Sequence, residues 1–385
     1  VRWLAVLALA LGGFAIGTTE FVAMGLLPDI ASTLGVTEPT AGHVISAYAM
    51  GVVIGAPVIA ALAARVPRKA LLLSLMAVFT LGNLASVLAP SYPTLMTARF
   101  VAGLPHGAYF GVAALAATHL MGRQNRAKAV AHVMCGLTIA TVIGVPLASW
   151  LGQVLGWRSA FGLVVIIGVV TLTALWFWLP VQLRTMHVTS PLTELGALKR
   201  VQVWFALAVG MIGFGGMFAV YTYISTTMTD VAGFPRALVP LALMVFGLGM
   251  VVGNLIGGRL ADGSVIRALY LSMTALGAIL ALFVVASHNP WTALPVLFGI
   301  GAAGSAVAPA LQTRLMDVAL DAQTLAAALN HSALNIGNAT GAWIGGLVIA
   351  AGFGYTAPAA AGALLAAAGI AVLTVSVALQ RRQLA

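Results

Sequence analysis

The sequence predicts an all-α polytopic membrane protein: twelve transmembrane helices in two six-helix bundles related by an internal repeat. Three observations predict it. Of 385 residues, 61% are hydrophobic and only 7% are charged, where soluble domains carry about 25% charged residues. About twelve apolar runs reach the ~20 residues that a spanning helix needs. Finally, small residues recur at a fixed distance: Gly249, Gly253, Gly258, Asp262, Ser272 and Gly301 each stand 198 positions after Gly51, Gly55, Ala60, Ala64, Ser74 and Gly103. Recurrence of this length marks a duplicated structural unit.

The runs are residues 4–27, 41–64, 69–88, 93–120, 127–152, 159–179, 203–225, 236–261, 267–287, 291–316, 324–350 and 357–379. The first six make an N-terminal bundle over 1–179 and the last six a C-terminal bundle over 203–385. Residues 180–202, with Pro180, Arg184, Glu194, Lys199 and Arg200, read as a cytoplasmic linker with a short amphipathic stretch. The first run is too long, and too polar near Glu20, for a cleaved signal.

The net charge of +10 is a topology signal rather than a nucleic-acid footprint. With N- and C-termini in the cytoplasm, Arg2, Arg65, Arg68, Lys69, Arg123, Arg126, Lys128, Arg184, Lys199, Arg200, Arg259, Arg267, Arg314, Arg381 and Arg382 fall inside. Arg158 and Arg236 fall outside, and Arg99 lies within the membrane. This is a strong positive-inside bias. The lipid bilayer is therefore an expected partner and nucleic acid is not. Cys135 is the lone cysteine, which precludes an intrachain disulfide.

In the first run, Glu20 stands about seven residues before the outer end; in the fourth, antiparallel to it, Arg99 stands about seven residues after the outer start, so both lie roughly 10 Å deep. Equal depth permits an ion pair if these helices are neighbours. Intramembrane ionisable groups face cavities and partners; the alternatives for Glu20 are an outward-snorkelling side chain or a purely structural pair. In the second run, Gly51 and Gly55 permit close helix approach, and the run ends in the basic turn Arg65, Arg68, Lys69. In the fourth, Arg99, Gly103, His106 and Phe110 sit at i, i+4, i+7 and i+11, one helical face.

The fifth run carries Gly144 and Pro146, a close-packing and bending pair. In the seventh, Met217, Phe218 and Tyr221 suit an adaptable apolar pocket, while Tyr223 suits the interfacial belt. The eleventh carries His331, Asn335 and Asn338 at i, i+4 and i+7, with Asn330 beside them, and Gly341 opposite Gly144 in the repeat. Amides inside a membrane need hydrogen-bond partners or water, so this stripe either lines a cavity or ties helices together. Leu297 occupies the position equivalent to Arg99, which places the charge chemistry in the first half.

No HExxH, GxSxG or GxxxxGK[ST] pattern occurs, and the histidines come from separate helices, so neither an intramembrane enzyme nor a metal site is expected. Asn330-His-Ser332 and Asn338-Ala-Thr340 match the glycosylation pattern but lie within a span.

The turn after the second run, with Arg65, Arg68 and Lys69, resembles the loop motif of the major facilitator superfamily, although Ala60, Ala64 and Pro67 replace its two glycines and its aspartate. The second copy keeps Gly258 and Asp262. Thr19-Glu20-Phe21, Leu27-Pro28-Asp29, Ala41-Gly42-His43, Gly55-Ala56-Pro57 and Pro105-His106-Gly107-Ala108-Tyr109-Phe110-Gly111 resemble the drug:proton antiporter branch, in particular its arabinose-efflux permease group, whose relatives include sugar and chloramphenicol exporters. Arg99 with Gly103 matches that branch's fourth-helix motif, and Gly144-Val145-Pro146 its fifth-helix motif with Ser149 and Trp150 in place of the usual paired glycines.

The resemblance implies a multi-pass transporter of a bacterial inner membrane, functional as a monomer, that expels a small apolar drug-like or sugar-like molecule in exchange for protons. No cofactor is implied beyond the proton as coupling ion. Glu20 and Arg99 would couple the proton. His106, Phe110, Met217, Tyr221, His331, Asn335 and Asn338 would line the substrate cavity, and Arg65, Arg68 and Asp262 would lock one conformation. Gly51, Gly55, Gly103, Gly144, Pro146 and Gly341 would pack the helices. A facilitator or proton symporter of the same architecture is the alternative; an intramembrane enzyme or sensor is a remote one.

Overall fold

The computed structural model describes residues 2–62, 66–122, 126–180, 196–320 and 322–384. Among the described residues, twelve helical stretches are long and apolar enough to cross a bilayer. They are α1 (Arg2–Gly25), α2 (Glu38–Ile59), α3 (Arg68–Leu88), α4 (Tyr92–Met121), α5 (Ala129–Leu155), α6 (Trp157–Trp178), α7 (Val201–Tyr221), α8 (Arg236–Gly263), α9 (Val265–Ala286), α10 (Pro290–Ala319), α11 (Leu329–Ala350) and α12 (Ala357–Arg382). Each expected run coincides with one of them to within a few residues. Most of the expected linker, residues 181–195, lies outside the described residues, as does Arg65.

Short polar caps set the turns. The Ser91 and Thr94 side chains form a capping box at the start of α4, and Asn289 accepts from the Trp291 N–H at the start of α10. Gly156, with φ +93°, separates α5 from α6 in a conformation that a side chain would strain. Outward-facing Val169, Trp176 and Phe177 of α6 and Leu364 and Val375 of α12 are exposed; their large apolar surfaces suit hydrocarbon rather than water.

The repeat is a repeat of contacts. A Cβ at Gly51 would run into the Phe100 carbonyl, and one at Gly249 into that of Phe298. Gly55 and Gly253 meet the Leu104 and Ala302 carbonyls in the same way, and Gly103 and Gly301 those of Tyr48 and Phe246. In each case the obstructing residue also shifts by 198. Gly144 and Gly341, 197 apart, face Thr18 and Gly215, again 197 apart. In α8 the third glycine against α10 is Gly257, packed on Ala306, while Gly258 faces open space. Four-residue spacing from Gly253 keeps Gly257 on the packed face, and Gly258 is turned away by one residue.

Two of the long helices are broken by proline. α4 divides into Tyr92–Gly103 and His106–Met121 at Leu104-Pro105. In α5 the segment Ala140–Gly144 is a π-helical turn immediately before Val145-Pro146. Proline offers no N–H and crowds the carbonyl four residues back, and a wider turn relieves both.

Polar ties join the halves in the part of the bundle away from the chain termini. Asp29 pairs with Arg236, and Gln153 Nε2 donates to the Arg236 carbonyl at 2.9 Å. Thr226 Oγ1 donates to Glu38 Oε2 at 2.7 Å, and Ser46 Oγ to the Ala339 carbonyl at 3.2 Å. These four ties between the halves all lie in this far part.

Candidate functional site

Arg99 is fully buried, at 0% exposure, and its surroundings come from three other helices. Its Nη1 donates to Thr19 Oγ1 at 2.8 Å and its Nη2 to the Thr19 carbonyl at 3.0 Å. The Thr19 hydroxyl in turn donates to Asn83 Oδ1 of α3 at 2.6 Å, and Asn83 Nδ2 donates to the Phe79 carbonyl at 2.9 Å. The rings of Tyr48 and Phe161 lie 4.5 and 5.1 Å from the guanidinium carbon. Ring faces and a forked pair of hydrogen bonds together stabilise a buried cation; Nε keeps no partner.

Glu20, the next residue along α1, is 7% exposed and forms no hydrogen bond or ion pair. The ion pair that matched depth permits is thus not made. Adjacent residues on a helix point in different directions, and Thr19 holds the guanidinium that Glu20 would need. Glu20 nevertheless stays within electrostatic reach of Arg99, Tyr48 and Tyr221. The result is an unpaired carboxyl beside a tethered cation.

Tyr48 connects this cation to a second cluster. Its ring covers Arg99 while its hydroxyl lies 3.1 Å from His106 Nδ1. The His106 ring is 5.4 Å from that of Phe110 and 6.3 Å from that of His331, and Phe110 stacks on His331 at 5.9 Å and 4°. α4 of one half therefore meets α11 of the other through the residues that one helical face predicted. On α11, Asn335 Nδ2 donates to the His331 carbonyl at 3.0 Å, whereas Asn335 Oδ1, both amide atoms of Asn338, Asn330 Oδ1 and Ser332 Oγ are buried without partners.

Tyr221 stacks on Phe246 at 4.0 Å and leans on Phe21 of α1, which also stacks on Phe218. Met217 is separate from these contacts, buried against Gly304 of α10. Arg68 and Asp262 form no side-chain hydrogen bond or ion pair, and Asp262 is exposed. The observed ties between halves lie at the opposite end from these two. Sequence reasoning passed over Thr19 as a ligand of Arg99, and Tyr48, Asn83 and Phe161 entirely. The one signal for Asn83 was an amide in an otherwise greasy run, flanked by Thr80 and Ser86 on one face.

Replacing Thr19 by valine keeps the shape but leaves the Arg99 Nη1 donor unmet, at a cost of ~1–3 kcal/mol or more for a charged group. A lowered melting temperature in detergent is expected for Thr19→Val and a near-native one for Thr19→Ser. Equal melting of the two would mean that the hydroxyl contributes nothing.

The model of the Major Facilitator Superfamily matches residues 9–323. The chain belongs to that superfamily. Over 371 residues it is 42% identical to the inner membrane transport protein YdhP of Escherichia coli K12, covering 96% of this chain and 94% of YdhP. It is 34% identical over 367 residues to a chloramphenicol resistance protein of Streptomyces lividans, covering 94% of each. A crystal structure of a bacterial homologue of the human lysosomal transporter Spinster superposes with a TM-score of 0.70 over 98% of this chain and 95% of that one, at 17% identity. This superfamily member is a multi-pass inner-membrane transporter, not an enzyme.

Proposed function

We propose that this transporter exports a small drug-like or sugar-like molecule in exchange for protons, by rocking its two halves about a central site. Glu20 carries the proposal. A buried carboxyl without a hydrogen bond or ion pair is available to take up and release a proton, and intramembrane carboxyls serve proton pathways. Arg99, held by Thr19 rather than neutralised by Glu20, supplies a fixed positive field at the same depth. Proton release from Glu20 would then draw the carboxylate toward the guanidinium, and uptake would free it. The relative named for chloramphenicol resistance supports export of an aromatic, hydroxylated solute. Phe21, Phe218 and Tyr221 offer ring faces for such a molecule, and the unpartnered α11 amides offer hydrogen bonds.

With the termini in the cytoplasm, the joined end is the outer one, and the arrangement is closed to the outside. The test is chloramphenicol flux in proteoliposomes with an imposed pH gradient, with and without an uncoupler. Uptake into acid-inside vesicles that collapses with the uncoupler is the expected result; flux indifferent to it would make the protein a facilitator.

The Asp29–Arg236 pair is exposed on the arginine side, and such pairs contribute ~0–1 kcal/mol. Arg236→Ala should therefore open the far end only modestly. The probe is a cysteine at Ser149, which is fully buried beside Gly25 and Leu243, in a Cys135→Ser background. Its maleimide labelling should accelerate by no more than about fivefold. A much larger acceleration would make this pair the dominant latch.

A further inference from the structure

The repeat fails at the start of α9, and the failure leaves a charged cavity on the membrane face of the second half. Arg267, at the start of α9, stands 198 positions after Lys69, at the start of α3. Lys69 Nζ donates to the carbonyls of Trp176 and Leu179, each at 2.7 Å, and lies over the Trp176 ring. It thereby caps the last turn of α6, a favoured use for a cation.

α12, the counterpart of α6, does not stop at the equivalent level. Its helix continues to Leu384, 28 residues against 22 in α6, and carries Gln380, Arg381 and Arg382 near its end. Its carbonyls there are used within the helix, so Arg267 has none to cap. Neither the Arg267 nor the Arg381 side chain makes a hydrogen bond or ion pair. Both line a cavity of about 530 Å³ between α9 and α12, together with Ser264, Gln380, Leu271 and Val377.

Among the described residues, no acidic side chain lines this cavity. Gln380 Oε1 already accepts from buried Arg314 at 2.8 Å, which leaves its amide N–H groups to donate. The polar end is thus a set of donors with two positive charges. The apolar end continues onto Leu271, half-exposed on the surface that faces hydrocarbon. The corresponding groove of the first half, between α3 and α6, is lined by Leu73, Ser74, Leu172, Trp176 and Phe177, and among the described residues holds no charged one.

We propose that the α9–α12 cavity binds an anionic phospholipid. Its phosphate would lie between Arg267 and Arg381, and an acyl chain along Leu271 and Val377. Guanidinium groups match phosphate oxygens in pairs, and basic pockets between spanning helices on the cytoplasmic side bind acidic lipid headgroups. Charge complementarity and the amphipathic lining favour a lipid over a free anion, which would leave the apolar wall bare. The site is independent of the transport mechanism proposed above.

The experiment uses the full chain in detergent, titrated separately with phosphatidylglycerol, phosphatidylcholine and inorganic phosphate, with bound lipid counted by native mass spectrometry. The expected result is saturable binding of phosphatidylglycerol in preference to phosphatidylcholine. Binding should weaken about fivefold in Arg267→Ala or Arg381→Ala and about thirtyfold in the double variant. Arg267→Lys should recover most of the single loss. Both residues are exposed, so the variants should elute and melt as the parent does. Equal retention of the two lipids, unchanged phosphatidylglycerol affinity in the double variant, or full displacement of the lipid by millimolar inorganic phosphate would each overturn the proposal.

Discussion

Glu20→Gln should reduce pH-gradient-driven export to the level of empty vesicles while solute exchange at equal pH on both sides persists. Glutamine keeps the length and polarity of the side chain but cannot ionise. Glu20 makes no hydrogen bond or ion pair that the change would break, so little loss of folded protein is expected. This separates coupling from folding. At Arg99 the separation fails, because any substitution there also unmakes two hydrogen bonds and two ring contacts. Gradient-driven flux that survives Glu20→Gln would remove Glu20 from the coupling role and leave the transporter assignment standing.

The second large effect is structural. Gly55 of α2 lies against the backbone of Leu104, and Gly253 of α8 against that of Ala302. A flexible side chain moves aside for a small added group, but a helix backbone does not. Overpacking of cores costs ~1–3 kcal/mol and more where nothing can give, against total stabilities of ~5–15 kcal/mol. Gly55→Val and Gly253→Val should each leave little monodisperse protein after extraction, with the alanine variants intermediate. Gly258→Ala, facing open space, should behave as the parent. Equal recovery of Gly55→Val and Gly258→Ala, read by fluorescence-detected size exclusion, would refute the close-packing account.

The spans and the glycine contacts were legible because each depends on short-range regularities. An apolar run of sufficient length must be helical across a bilayer, since its backbone can satisfy itself in no other common way. A glycine every four residues must present one bare stripe. The stripe of Arg99, Gly103, His106 and Phe110 was legible for the same reason, and its members do meet Tyr48 and His331. The turn at Pro105 did not scatter them. Gly258 follows Ala60 at the repeat distance, but the glycine packed against α10 is Gly257, because four-residue spacing from Gly253 decides the face.

The partners of Arg99 were not legible. Thr19 lies 80 positions before it, and Asn83 lies 64 positions after Thr19. A threonine beside a glutamate gives no sign of which of the two a distant guanidinium will take.

By itself the sequence determined that the chain spans a membrane twelve times, that its halves repeat, and that a carboxyl and a guanidinium lie at one depth, because hydropathy, spacing and rise per residue act locally. The tertiary structure decided that Arg99 is held by Thr19, that Glu20 is left unpaired, and that polar ties join the halves at the far end. Those outcomes depend on the rotation of each helix about its own axis and on which helices are neighbours, and only packing sets these.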